Sequence, residues 1–192
     1  STEGKKSRKV VEYGIEALKA VWHRGAVDAD GKTGDGAGIH VEIPKDFFIE
    51  KIEVTGHNHD NSEICVGMIF LPRNDYAAQE NCKTIVESEL TKNDFSIYGW
   101  RQVPVNPKVL GEKAFQTMPE IIQVLFKSNN PDLLNKDLER KIYETRRIIE
   151  NKAFQISLNN FYICSLSSKS IIYKGMFLAE AISEFFLDLK DD

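Results

Sequence analysis

The residues with most to offer chemically sit in one short stretch. His23-Arg24-Gly25-Ala26 is followed, across Val27 to Lys32, by Thr33-Gly34-Asp35-Gly36-Ala37-Gly38. Arg24 carries a permanently charged guanidinium with donors in a fixed fork, suited to an anionic substrate or a main-chain carbonyl. An ion pair with Asp28, Asp30 or Asp35 is the alternative use of that charge. His23 could serve as a general base, or as a hydrogen-bonded structural histidine. Glycine stands at 25, 31, 34, 36 and 38, a density that suggests a shaped site more than a plain turn. Gly25, Asp35 and Gly36 are expected to shape the loop into the following strand, with Asp35 reaching backbone amides.

Two nucleotide-binding patterns fail on this stretch. Gly31-Lys32-Thr33 resembles the end of a phosphate-binding loop, but Ala26 stands where that loop needs its first glycine. Gly34 and Gly36 open a dinucleotide fingerprint, but Ile39 occupies its last glycine position. Elsewhere, His57-Asn58-His59-Asp60 invites a metal reading. These side chains lie too close together, with no second pair on a regular element to complete a tetrahedral set, and an exposed loop is expected. Ser165 and Ser167 lack a Gly-x-Ser-x-Gly frame. Cys65, Cys82 and Cys164 have no paired spacing and are expected as reduced thiols, with Cys82 on a helix and Cys164 on a strand of the core.

A known pattern does fit. Leu18 to Ala26 and Asp30 to Ile39 resemble the Leu-x-x-x-x-His-Arg-Gly-Ala and Asp-Gly-Lys-Thr-Gly-Asp-Gly-Ala-Gly-Ile segments of the glutamine amidotransferase domain of the glutamate synthase large subunit. Gly67-Met68-Ile69-Phe70-Leu71-Pro72-Arg73, Gly99-Trp100-Arg101-Gln102-Val103-Pro104, Phe161 to Ser168 and Tyr173-Lys174-Gly175-Met176 are similar to further segments of that family, in family order. The resemblance covers nearly the whole chain. It implies a class II amidotransferase of the N-terminal-nucleophile hydrolase type, an αββα four-layer sandwich of two stacked antiparallel sheets between helices. It implies hydrolysis of L-glutamine by an N-terminal cysteine whose own α-amine is the base, with Arg24 in a supporting role beside the pocket. Residue 1 is Ser1, and the opening residues resemble sequence a little beyond the family's cysteine. The Asn-Gly oxyanion segment of the family is not matched either. Residues 1–192 are therefore expected to form a partial domain, inactive alone, in which no cofactor binds. FMN and an iron–sulfur cluster are implied for the remaining synthase domains of the same polypeptide. A non-catalytic scaffold, or a module binding glutamine or glutamate through the Arg24 loop, is the competing expectation.

Composition sets the outer bounds. The 192 residues suggest one domain, able to bury roughly 70% of its unfolded surface. Apolar residues make up 42% and charged residues 28%, ordinary for a globular protein. A net charge of −4 and a pI near 5.7 argue against nucleic acid. Lys5, Lys6, Arg8 and Lys9 read as a solvated helix start. No apolar run approaches the ~20 residues that cross a bilayer, so no membrane partner and a cytoplasmic location are expected.

The elements that must position the loop follow from periodicity. Residues 7–22 read as an amphipathic helix with Val11, Ile15, Leu18 and Trp22 on one face and Ser7 as N-cap. Ile39 to Ile43 alternates as a strand that Pro44 ends, and Asp46 to Ile49 begins a short helix or turn. Ile64 to Leu71 suits a strand covered on both faces. Asp75 to Leu90 reads as a helix with Ala78, Cys82, Ile85 and Val86 inward. Ile97 to Val105 reads as a strand, its Arg101 free to stack on an aromatic ring. Ile121 to Phe126 reads as a strand within an irregular region. Leu134 to Lys152 reads as a helix with Leu134, Leu138, Ile142, Thr145 and Ile149 buried and a solvated face carrying Glu139, Arg140, Glu144 and Arg147. Phe161–Ser165 and Ser170–Lys174 read as a hairpin, and Phe177 to Leu189 as a helix. Strands and helices in mixed order make the class α+β.

Overall fold

A computed structural model describes residues 7–21, 25–60 and 62–190. In chain order the elements are α1 (Arg8–Ala20), β1 (Ala37–Glu42), α2 (Lys45–Val54), β2 (Cys65–Leu71), α3 (Tyr76–Lys92), β3 (Phe95–Gln102), α4 (Glu112–Gln116), β4 (Glu120–Ser128), α5 (Asn135–Gln155), β5 (Tyr162–Ser167), β6 (Ser170–Gly175) and α6 (Ile182–Phe185), with 3-10 turns at Pro107–Val109, Ala179–Ala181 and Leu187–Lys190. The class is α+β, and the strands form two antiparallel sheets. The chain divides into two compact units. One comprises Ser1–Val41, Val103–Met118 and Ile172–Asp192; the other comprises Glu42–Gln102 and Pro119–Ile171.

The second unit is built on a four-stranded sheet in the order β3-β4-β2-β5. Cys65 pairs with Phe126 and Leu71 with Glu120 across β2 and β4. β2 is apolar at nearly every position because both its faces are covered, and all of its residues but Phe70 are buried. Helices α3 and α5 supply Cys82, Val86, Leu90, Leu138, Ile142 and Ile149 to a core with Ile69, Leu71, Val124 and Phe126 from the sheet. Each of these large side chains contributes ~1.5–3 kcal/mol by leaving water. Phe95 and Phe126 pack edge to face at 5.3 Å. The start of α3 is set by Asp75, whose carboxylate accepts from the Ala78 N–H at 2.9 Å. Bulges interrupt the ladders at Tyr98 and Cys164.

The first unit pairs β1 with β6. Gly36 faces Gly175 while Gly38 faces Tyr173 and Lys174, so the two strands run in opposite directions. Along β1, half-buried and exposed residues alternate, as one covered face requires. The core of this unit is aromatic. Phe177, Phe185 and Phe186 are buried, and Phe185–Phe186 and Tyr173–Phe186 centroids lie 4.8 and 5.1 Å apart. From α1, Ile15 is buried, with Val11 and Leu18 half-buried beside it. The last residue of its expected stripe, Trp22, lies outside the described residues.

Several local expectations are corrected. β5 and β6 do not pair with each other: β5 joins β2 and β6 joins β1. The turn between them survives, its Lys169 and Ser170 amides donating to Ser167 Oγ at 2.9 and 3.2 Å. The stretch 177–189 is not one helix but a 3-10 turn, the four-residue α6 and another 3-10 turn. Its consecutive phenylalanines fill the aromatic core from a broken backbone, which a regular helix would point in diverging directions. Leu134 is 49% exposed and precedes α5 rather than extending its buried stripe. Glu139 is not merely solvated; it accepts from Ser168 N, Ser168 Oγ and Ser167 Oγ at 2.6, 2.7 and 2.9 Å, tying α5 to the β5–β6 turn.

Candidate functional site

The glycine-dense loop is a miniature antiparallel hairpin. Asp28 N donates to Thr33 O at 2.9 Å and Asp35 N to Ala26 O at 3.2 Å, with Val27 bridged to Gly34 between them. At the tip, Gly31 N donates to Asp28 O at 3.0 Å. The carboxylate that gathers backbone amides here is that of Asp30. Its Oδ1 accepts from Thr33 N at 2.7 Å and Lys32 N at 2.9 Å, and its Oδ2 from Thr33 Oγ1 at 2.6 Å. The Thr33 hydroxyl, the Thr33 and Lys32 amides and the Glu112 amide hold the Asp30 acid down to about 2, because each donor favours the anion. An Asp followed three residues later by Thr is the local signal that sequence reading passed over. Asp28 forms an exposed ion pair with Lys113 at 2.9 Å, which lowers the carboxyl and raises the ammonium.

The returning arm of the hairpin lies backbone against backbone. A Cβ on Gly34 would meet the Phe177 carbonyl carbon and oxygen at 2.9 Å, and one on Gly38 would meet Lys174 Cβ at 2.9 Å. Gly36, with φ +134°, adopts a conformation that side chains resist. Gly34 and Gly38 thus serve close approach to Phe177 and β6, whereas at Gly36, where a Cβ would lie 3.6 Å from Gly175 O, it is the backbone conformation that calls for glycine.

The structure thus places Gly25, Asp35 and Gly36 in this one loop. Gly25 is an exposed bend at its start, Asp35 enters the hairpin through its N–H, and Gly36 leads into β1. His23 and Arg24 lie outside the described residues.

The remaining chemical candidates are engaged elsewhere. All three cysteines are buried. Desolvation raises Cys65, assisted by Glu139 and Glu63, and pushes Cys82 up to about 11, so neither is an activated thiolate. His59 Nε2 lies 2.9 Å from Ser62 O and His57 Nδ1 lies 3.1 Å from Thr55 Oγ1. Asp60 of the same loop is paired with Lys127, and with Ser62 it borders a cleft of ≈ 500 Å³ that also includes Asn129, Asn130 and Leu134. Arg101 stacks on Phe47 at 5.1 Å and donates to Gln123 Oε1 at 2.8 Å, the stacked use expected of it. Among the described residues, no group of three or more His, Cys, Asp or Glu side chains could hold a metal ion. No helix among them is long and apolar enough to cross a membrane.

Comparison with known proteins extends this picture along the whole chain. Residues 1–192 match the family model of class II glutamine amidotransferases. The chain is 54% identical over 190 residues to the glutamate synthase [NADPH] large chain of Azospirillum brasilense, covering 99% of this chain and 12% of that one. It is 40% identical over 188 residues to ferredoxin-dependent glutamate synthase 1, chloroplastic/mitochondrial, of Arabidopsis thaliana, covering 97% and 12%. It is 35% identical over 189 residues to ferredoxin-dependent glutamate synthase 2 of Synechocystis, covering 98% and 12%. The chain thus spans about 12% of the length of these relatives. With a family match that runs unbroken through all 192 residues, the chain belongs to the class II glutamine amidotransferase family.

Proposed function

We propose that this chain is part of the glutaminase domain of a glutamate synthase. That domain hydrolyses L-glutamine to glutamate and ammonia, and the ammonia serves glutamate synthesis from 2-oxoglutarate. One observation carries the reading: the unbroken family match over residues 1–192, with 54% identity to a glutamate synthase large chain. In the proposed reaction a thiolate attacks the carboxamide carbon and an α-amine takes the thiol proton. The C–N bond breaks as ammonia leaves, and water then hydrolyses the thioester to glutamate. The buried, raised thiols of Cys65 and Cys82 support assigning the attacking sulfur to polypeptide outside these residues. Arg24 is assigned a supporting role at the pocket, its guanidinium meeting negative charge on the substrate.

We assign FMN and an iron–sulfur cluster to the rest of the parent polypeptide, of whose relatives' length this chain spans about 12%. We assign the electron donor, a pyridine nucleotide or ferredoxin, to that remainder too; the relatives' names include both NADPH and ferredoxin. A cytoplasmic location is part of the same proposal. Steady-state glutaminase assays test it. The full-length parent releases glutamate from glutamine, the 192-residue chain alone does not, and Arg24→Ala in the parent lowers kcat/KM by roughly 30- to 100-fold, the worth of one charged hydrogen bond. Turnover by the isolated chain would place the nucleophile within it and refute the assignment.

A further inference from the structure

We propose that the outer face of α5 is a self-association surface, on which a second copy of this chain packs its own α5 in the antiparallel direction. This face belongs to the four-stranded unit and is independent of the glutaminase reading.

α5 runs from Asn135 to Gln155, about 30 Å of helix. Its inner side is buried through Leu138, Ile142, Thr145, Ile149 and Ala153. The far side carries two large rings in the open: Tyr143 is 61% exposed and Phe154 85%. They belong to a pattern. Arg140, Tyr143, Arg147, Glu150 and Phe154 follow one another at alternating intervals of three and four, the spacing that keeps side chains in one seam along a helix.

The seam is self-complementary. Two copies related by a two-fold axis must match residue i to j and j to i. An axis between Ile148 and Ile149 does this for antiparallel helices. Tyr143 then meets Phe154 of the second copy, Phe154 meets its Tyr143, and each Arg147 meets a Glu150. No layer of the seam opposes like charges. Glu150 suits the centre, because it already pairs with Arg146 at 2.8 Å and with Arg147 of its own helix. Its charge is compensated before the second copy arrives, which reduces the cost of covering it. Tyrosine, phenylalanine and arginine are the side chains that interfaces favour. Area sets the strength. Covering both rings in both copies removes roughly 600 Å² from water, and the arginine stems bring the pair toward the ~1,000 Å² that a specific interface needs. The association is therefore weak, with a Kd on the order of 100 µM.

Sedimentation equilibrium of the 192-residue chain from about 10 µM to about 1 mM tests this, with urea transitions confirming the fold of each variant. The wild type should dimerise across that range. Phe154→Asp, at an exposed position, should raise Kd by about tenfold or more. Arg147→Glu and Glu150→Arg should each lose dimers when alone. Their equimolar mixture should regain them, because one copy then presents two carboxylates to two guanidiniums on the other. Cysteine pairing checks the register in the full-length parent. A mixture of Tyr143→Cys and Phe154→Cys, oxidised together, should give a disulfide-linked dimer that neither variant gives alone, since like positions lie about 16 Å apart along the paired helices. If the isolated chain does not fold, this second measurement decides. A folded chain that stays monomeric to about 1 mM overturns the inference, as does a mixture no better than either charge reversal alone. Dimers indifferent to these substitutions place the contact elsewhere and overturn it too. Cysteines that stay unlinked in the parent leave the face to the parent's own polypeptide, and the inference falls.

Discussion

Replacing Lys152 by methionine probes a carboxylate of the four-stranded unit that two helices share. Glu89, on α3, is 4% exposed. Its Oε1 accepts from Lys152 Nζ of α5 at 2.7 Å and from Lys92 Nζ of its own helix at 3.2 Å. At an effective dielectric of about 20, a contact of that length has a gross attraction of roughly 6 kcal/mol. Most of it is offset by desolvation of Glu89 and by the exposure of Lys152, which keeps part of its hydration. Methionine keeps the aliphatic stem and removes the ammonium, so the expected net loss is about 1.5 kcal/mol. Glu89→Gln should cost a similar ~1.5 kcal/mol, and the double mutant should show a coupling of about 1 kcal/mol rather than additivity. Urea unfolding at constant m-value measures all three. Lys152 and Lys92 lower the folded-state pKa of Glu89. Its contribution is therefore present above the ordinary glutamate value of 4.5 and lost as pH falls through the lowered folded value. The coupling should be intact near about pH 7 and much reduced near about pH 3. A coupling below about 0.3 kcal/mol at neutral pH would class the contact with exposed surface pairs. A coupling indifferent to pH would show that the carboxylate's charge is not what joins the helices. Either result refutes the reasoning.

Other outcomes follow from single contacts. Gly34→Ala should destabilise by about 1–3 kcal/mol, because its methyl meets main-chain atoms of Phe177 that cannot rotate away. Gly31→Ala, in open space but at φ +68°, should cost about 1 kcal/mol from backbone strain alone, and thermal melts rank the two. No cysteine should react with a disulfide reagent within minutes at about pH 8 in the native chain, while all three should react after denaturation; one fast native thiol would reopen the assignment of the nucleophile. Gln123 is fully buried, and among the described residues its Nε2 has no partner. Gln123→Met should change stability by less than about 1 kcal/mol, since removing the orphaned donor offsets the lost bond to Arg101, as urea titration would report.

Residue order alone determined the elements whose pattern is local. The unbroken apolar run of β2, the alternation of β1 and the inward stripes of α3 and α5 each state which side of an element avoids water, because a helix or a strand repeats its own geometry. The glycine block and its neighbours likewise carried the family, and with it the expectation of two antiparallel sheets. Tertiary structure decided what each covered side meets. Neighbouring strands β5 and β6 are drawn to different partners because hydrogen-bonded pairing is a contest among distant segments, which adjacency in the chain does not settle. The stretch 177–189 has helical spacing, yet the demand to pack three phenylalanines into one core breaks it. Glu139 sits among charges that pattern reading assigns to solvent, and only the approach of the β5–β6 turn supplies the donors it binds. The glycine loop shows the division most sharply. Its sequence announces a tight backbone, but that Asp30 organises it, and that Gly111 must be small to let it, depends on a segment some eighty residues away along the chain. Local composition fixes what a stretch is able to do, and the choice among those options is made by contacts whose partners are remote in the chain.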